Sequence, residues 1–69
     1  MKLIIRRIES ERKRRRWSKA KMARFLRVSY MTYLRWTSGQ VQPSQMAVRL
    51  LEDGLRRLRK QERRQKRRA

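Results

Sequence analysis

Apolar side chains recur along this chain at the three- and four-residue spacing of amphipathic helices, in four segments separated by short polar breaks. The predicted helices span about residues 3–15, 19–27 and 30–37, and a fourth follows Pro43 and continues toward Leu58. No segment alternates apolar and polar residues over the length of a strand. The pattern therefore predicts an all-α fold, a compact domain of four or five helices.

Serine residues precede three of these helices, at Ser18, Ser29 and Ser44. Serine is a preferred N-cap because its hydroxyl accepts a hydrogen bond from a free N–H of the first turn. The break between the second and third helices is long enough only for a tight turn. Gly39 and Pro43 mark a longer loop before the fourth helix.

The composition narrows the function classes. The chain has 69 residues, neither Cys nor His, and 23 Lys and Arg against five acidic residues, which gives a net charge of +18. A chain this short supports one core, and it lacks the usual ligands of a structural zinc site. The acidic residues have no His, Cys or Gly-rich loop with them, so we expect no catalytic set, no cofactor and no small-molecule ligand. The excess of positive charge points to nucleic acid as the partner.

The two ends of the chain are the most basic parts. We expect residues 1–58 to form the domain and residues 59–69 a basic tail, which is either disordered or a helix held by phosphate. The basic runs at 12–16 and 63–68 would be arms that contact phosphate. Gly54 is expected to end or bend the fourth helix. No apolar run is long enough for a signal peptide or a membrane span, so the expected location is the cytoplasm, at the nucleoid, with no membrane partner.

Two short capped helices joined by a tight turn are what a helix-turn-helix requires. Residues 17–39, WSKAKMARFLRVSYMTYLRWTSG, resemble that motif in the lambda repressor and Cro-like (XRE-type) DNA-binding family, and the resemblance extends over residues 17–51. Met22 and Ala23 match the positions where the two helices cross. Further positions that match the family are Leu26, Val28, Ser29, Thr32, Tyr33, Arg35, Trp36, Gly39 and Pro43.

The resemblance implies a function. Members of this family regulate transcription by binding duplex DNA, commonly as homodimers on two-fold operators, and they are frequent among phages and plasmids. The chain would therefore be a sequence-specific regulator, a repressor or autoregulator, with its helix-turn-helix at about 18–37. Leu51, Leu55 and Leu58 are spaced so that they either close the core of one chain or form a dimer seam, and we favour the seam.

The resemblance also assigns site residues. The base-reading positions of the family fall on Tyr30, Met31 and Arg35, with Leu34 as a fourth candidate that faces outward. Arg35 is the strongest, because arginine can donate two hydrogen bonds to guanine, whereas Tyr30 and Met31 offer apolar contact to a thymine methyl. The expected phosphate contacts are Ser18, Lys19, Arg27, Ser29, Ser38, Gln40, Gln42 and Ser44.

The chain departs from the family at three positions. Arg27 stands where the family usually has a turn glycine, and a left-handed backbone there would cost roughly 1–2 kcal/mol. Lys19 and Thr37 replace the Gln and Glu of the family. Since that Glu pairs with an Arg of the first helix, the family's buried pair is expected to be absent.

Several alternatives stay open at this point. Tyr33 and Trp36 could stack on single-stranded nucleic acid, but their spacing favours the core. Trp17 is expected to be a hydrophobic staple onto the second helix. The rival functions are a sequence-neutral architectural or excisionase-like DNA-binding protein and a ribosome-associated RNA-binding protein. A cationic membrane-active helix fits the polar caps and the loop less well.

Overall fold

The described part of the chain forms four helices. The computed structural model describes the backbone of residues 2–68 and the side chains of residues 2–62, and no strand occurs in that part of the chain. This confirms the all-α class, and the first three helices end within one residue of the predicted bounds. The helices are α1 (Leu3–Arg15), α2 (Lys19–Leu26), α3 (Tyr30–Ser38) and α4 (Gln45–Arg68).

All three predicted serine caps are confirmed. In each case the serine Oγ accepts a hydrogen bond from the backbone N–H three residues later, which satisfies one free donor of the first turn. The pairs are Ser18 with Lys21 at 3.0 Å, Ser29 with Thr32 at 3.0 Å, and Ser44 with Ala47 at 3.2 Å.

One hydrophobic core receives side chains from every helix. The principal contacts join α1 to α3 and α4, and α2 to the same two helices. Tyr33 and Trp36 are buried in this core, as predicted. The buried residues are Ile4, Ile5, Ile8, Met22, Ala23, Leu26, Tyr33, Trp36, Leu51, Leu55 and Leu58.

The preference for a dimer seam at Leu51, Leu55 and Leu58 is corrected by this core. All three side chains are buried within a single chain. They cannot also present a surface to a second copy while the bundle stays folded. The spacing of the three leucines would be the same in the core of one chain and in a dimer seam. The packing of α1 and α2 against α4 decides between the two.

Helices α1 and α4 run side by side in the same direction. At one end Lys2 Nζ donates to the Pro43 carbonyl at 3.2 Å, and at the other Arg15 Nη2 donates to the Leu58 carbonyl at 2.9 Å. Beyond that point both Nη atoms of Arg14 donate to the Glu62 carboxylate at 3.0 Å. Helix α4 thus passes the expected boundary after residue 58 without a break, and its next turn is bound to α1. The side chains of the basic arm expected at 63–68 lie outside the described residues.

Gly54 does not end the fourth helix, because α4 continues through it. It is buried, and a Cβ atom placed on it would overlap Cδ2 of Leu26, a core residue of α2. The missing side chain allows α2 and α4 to approach closely. This contact offsets the roughly 1 kcal/mol that glycine costs within a helix relative to alanine.

Candidate nucleic-acid interface

The turn between α2 and α3 has a left-handed residue at Arg27, the position where the resemblance places a turn glycine. Arg27 has φ 63° and ψ 37°, and the N–H of Val28 donates to the Ala23 carbonyl at 3.0 Å. This bond closes the end of α2 as a Schellman motif does. Ser29 then caps α3, so that three residues separate the two helices. Arg16, after α1, adopts the same conformation with φ 59°.

Arg27→Gly should therefore leave the protein at least as stable as the wild type. Relief of roughly 1–2 kcal/mol of left-handed strain is partly offset by the 0.5–1 kcal/mol that glycine loses in backbone freedom. Arg24→Gly is the matched control: it removes the same side chain from within α2 and should lower the free energy of unfolding by about 1 kcal/mol. Urea denaturation of both variants measures the difference. Equal losses in the two variants would contradict the strained turn.

Helix α3 presents the predicted base-reading residues on its outer surface. Tyr30, Met31 and Arg35 are exposed and Leu34 is partly buried, whereas Tyr33 and Trp36 face the core. Within the described part of the chain the Arg35 guanidinium makes no hydrogen bond or ion pair. The exposed side of α3 therefore combines one unengaged cation with two apolar side chains.

The predicted phosphate-contacting residues fall into two groups. Arg27, Gln40 and Gln42 are exposed in turns. The other residues already have partners. Ser18, Ser29 and Ser44 cap helices, Ser38 Oγ donates to the Arg35 carbonyl at 3.1 Å, and Lys19 Nζ donates to Thr37 Oγ1 at 3.4 Å.

A polar network beneath α3 was not predicted from the sequence. The Glu9 carboxylate accepts hydrogen bonds from Arg12 Nε at 2.7 Å and Nη2 at 3.0 Å, and from the Tyr33 hydroxyl at 2.5 Å. Arg12 Nη1 also donates to the Trp17 carbonyl at 2.9 Å. Both charges come from α1, and they fix its position against α3 and against the residue that leads into α2. The spacing of Glu9 and Arg12 permits an ion pair on a helix, but nothing local indicates the tyrosine.

The network determines how Glu9 titrates. Burial of the Glu9 carboxylate acts to raise its pKa, but hydrogen bonds from Arg12 and Tyr33 outweigh burial and hold that pKa below its ordinary value. Burial and the hydrogen bond to Glu9 raise the pKa of Tyr33, so the hydroxyl stays protonated and donates. A carboxylate whose pKa is lowered by folding stabilises the fold above its unfolded-state pKa. That contribution is lost as the pH falls through the folded-state pKa.

Glu9→Gln should make the protein less sensitive to acid. At pH 7 we expect the variant to be about 1–2 kcal/mol less stable, because Arg12 and Tyr33 lose a charged acceptor. Below about pH 4.5 the wild type loses its advantage, and the two free energies of unfolding converge. Glu52→Gln, on the exposed surface of α4, is the control and should follow the wild type. A constant difference between Glu9→Gln and wild type across pH 3–7 would contradict this role.

A second cluster joins α2 to α4 at the edge of the core, against which its two aromatic rings pack. Trp17 is partly buried and packs on α2 through Phe25, with ring centroids 5.5 Å apart. Lys21 Nζ lies 4.7 Å from the Trp17 ring centre, and the Arg57 guanidinium lies 4.6 Å from that of Phe25. Arg57 Nη2 also donates to the Phe25 carbonyl at 3.1 Å. Because cations already cover both rings, this cluster is better suited to holding α4 on α2 than to stacking bases.

The described residues offer neither a membrane-spanning helix nor a cluster of metal ligands. None of their helices combines the length and apolar character that a membrane span requires. Their acidic side chains form no group of three or more that could hold a metal ion.

Comparison with protein-family models, with curated proteins and with solved structures finds no match to this chain.

Proposed function

We propose that this chain is a sequence-specific DNA-binding regulator of the lambda repressor and Cro-like helix-turn-helix kind. In this proposal α2 lies across the phosphate backbone and α3 enters the major groove. The observation that supports it best is the division of α3 into two sides. Tyr33 and Trp36 fix the helix to the core, and Tyr30, Met31 and Arg35 are left exposed.

Base recognition would centre on Arg35. Its guanidinium is exposed and has no partner among the described residues, so no internal bond must break before it donates to guanine O6 and N7. Such a paired contact discriminates between bases by about 1–3 kcal/mol. Met31 and Tyr30, on the first turn of the same helix, would contact thymine methyl groups.

Phosphate contacts would set the position of α3 in the groove. Arg27 lies in the turn immediately before α3, and Gln40 and Gln42 lie in the loop immediately after it. Contacts from these positions bracket the helix on the two sides of the groove. The net charge of +18 adds a sequence-independent attraction that weakens steeply with salt.

Regulation would follow from occupancy. A protein bound at a promoter denies the polymerase its site, so repression or autoregulation needs no catalytic group and no ligand. Two copies on a two-fold operator would place their α3 helices in successive major grooves, about one helical turn apart.

The rival functions differ in the surface they use. An architectural DNA-binding or RNA-binding protein of this charge would bind chiefly through the basic runs. Tyr33 and Trp36 are buried, so neither ring is available to stack on single-stranded nucleic acid.

Amide NMR shifts during titration with duplex DNA test the proposal, at about 0.15 M salt to screen nonspecific attraction. We expect the largest shifts at residues 18–19 and 27–42, which include the turn, α3 and the following loop. Shifts confined to the basic runs at 12–16 and 63–68 would overturn the proposal in favour of a sequence-neutral binder.

A further inference from the structure

Two surface clefts share Phe25 as part of their walls. One cleft, between α2 and α4, is lined by Phe25, Arg57, Lys60 and Gln61. The other, along α2, is lined by Phe25 together with Trp17, Lys21 and Arg24. No residue of α3 is in the described lining of either cleft. We call the four basic residues the cleft cations; they are Lys21, Arg24, Arg57 and Lys60.

Neighbouring acids neutralise little of the charge of the cleft cations. No acidic side chain is among the described residues that line the two clefts. Asp53, one turn before Arg57 on α4, is shared between Arg57 and Arg56, and each N–O distance is 3.7 Å. Arg24 and Lys60 are exposed and make no hydrogen bond or ion pair within the described part of the chain. Positive charge therefore accumulates here beside one shared carboxylate.

Two of the cleft cations are already held in place by the fold. Lys21 packs on the ring of Trp17, and Arg57 both covers the ring of Phe25 and donates to its carbonyl. A side chain that is fixed before binding loses less conformational entropy when it engages a partner. Lys21 and Arg57 are therefore preorganised to receive an anion.

A groove between α1 and α3 also carries basic side chains, Arg6 and Lys13, but its lining includes Glu9. The carboxylate of Glu9 would repel an anion that entered this groove. The clefts at α2 and α4 have no acidic residue in their described lining, so they are the more favourable site for a polyanion.

We propose that the cleft cations bind the phosphates of a second DNA duplex, so that one molecule bridges two segments of DNA. Lysine and arginine donate hydrogen bonds and accept none, and their charge-assisted bonds to phosphate are among the strong ones. Cations cover both aromatic rings, so the clefts offer phosphate contacts rather than base stacking. This second contact rests on the proposed function, in which α3 holds the first duplex.

The stiffness of DNA favours a second segment over a second contact with the same duplex. Helices α3 and α4 each make their principal contacts with α1 and α2, so the exposed side of α3 and the clefts belong to separate surfaces. The protein measures 41 × 22 × 19 Å, and one duplex would have to bend sharply over that length to reach both. Bending roughly 20–30 base pairs by 40–90° costs about 1–6 kcal/mol, whereas a second segment binds without that cost.

Two double variants of equal charge separate the clefts from the general positive charge. The cleft variant is Arg24→Gln with Lys60→Gln, and the control is Arg6→Gln with Arg7→Gln on α1. All four side chains are exposed and have no described partner, so thermal unfolding should be unchanged in both variants. Each variant loses two charges, and both should bind a single duplex with similarly reduced affinity.

A bridging assay with the full chain measures the second contact. Beads that carry a duplex of mixed sequence are loaded with protein at about 0.1 M salt and washed, and a labelled duplex is then added in solution. At equal amounts of protein on the beads, we expect the wild type and the control to recover the labelled duplex. The cleft variant should recover about tenfold less, because two phosphate contacts are lost.

Two results would overturn the second contact: a wild type that stays on the beads but recovers no labelled duplex, and a cleft variant that recovers as much as the control. Bridging through the basic runs alone would give the second of these results. Because the duplexes have mixed sequence, recovery does not require base recognition. A failure of sequence-specific binding would therefore appear in a separate measurement, selection from a randomised library.

Discussion

Leu58→Ala is expected to lower the free energy of unfolding by about 2–5 kcal/mol. The side chain is fully buried between α4 and the rest of the bundle, and its removal leaves a cavity as well as losing apolar contact. A core of this size provides only about 3–5 kcal/mol in total, so we expect much of the variant to be unfolded at 25 °C. Urea or thermal denaturation followed by circular dichroism measures the loss.

Leu3→Ala is the control for this experiment, because the same atoms are removed from an exposed position. Leu3→Ala should lower the free energy of unfolding by less than about 1 kcal/mol. The core assignment also predicts that the loss at Leu58 is independent of protein concentration. A loss that disappears in dilute solution would show instead that Leu58 is covered by a second chain, as the seam prediction required.

Arg35→Ala is expected to remove base preference at one position of each half-site. The free energy of DNA binding should weaken by about 1–3 kcal/mol on the preferred sequence, and by less on sequences that lack the guanine. Arg35→Lys keeps the charge but not the two-pronged donor geometry, so it should lose the preference and keep the salt dependence. Binding to a panel of duplexes that differ at single positions measures both effects.

Lys19→Ala provides the contrast. Lys19 is at the start of α2, where a phosphate contact would weaken binding to all sequences alike and reduce the salt slope by about 1. Its hydrogen bond to Thr37 makes a stability measurement a necessary companion. If Arg35→Ala and Lys19→Ala lose affinity equally on every duplex, base recognition by Arg35 is wrong.

The parts of the fold that depend on local chemistry could be predicted from the sequence. Serine caps fix where α2, α3 and α4 begin, because the cap bonds lie within one turn. The resemblance indicated Arg27 as the position of the family's turn glycine, but it left open whether this turn has the left-handed backbone that the structure shows there.

The parts of the fold that depend on contacts between distant residues could not be predicted from the sequence. Gly54 was predicted to end or bend α4 because glycine is unfavourable within a helix. The contact that explains a glycine there is with Leu26, which lies on another helix. The role of Glu9 depends on Tyr33, 24 residues away. The stripe of Leu51, Leu55 and Leu58 indicates an apolar partner but does not say whether that partner is the same chain.

The central claim is that this chain selects a DNA sequence, and selection from a randomised duplex library tests it most directly. The bound fraction would be recovered at about 0.15 M salt or above, where screening removes much of the nonspecific attraction, and then sequenced. We predict a palindromic motif with half-site centres about one helical turn apart. Recovery of no motif, with binding that depends only on salt and length, would contradict the account.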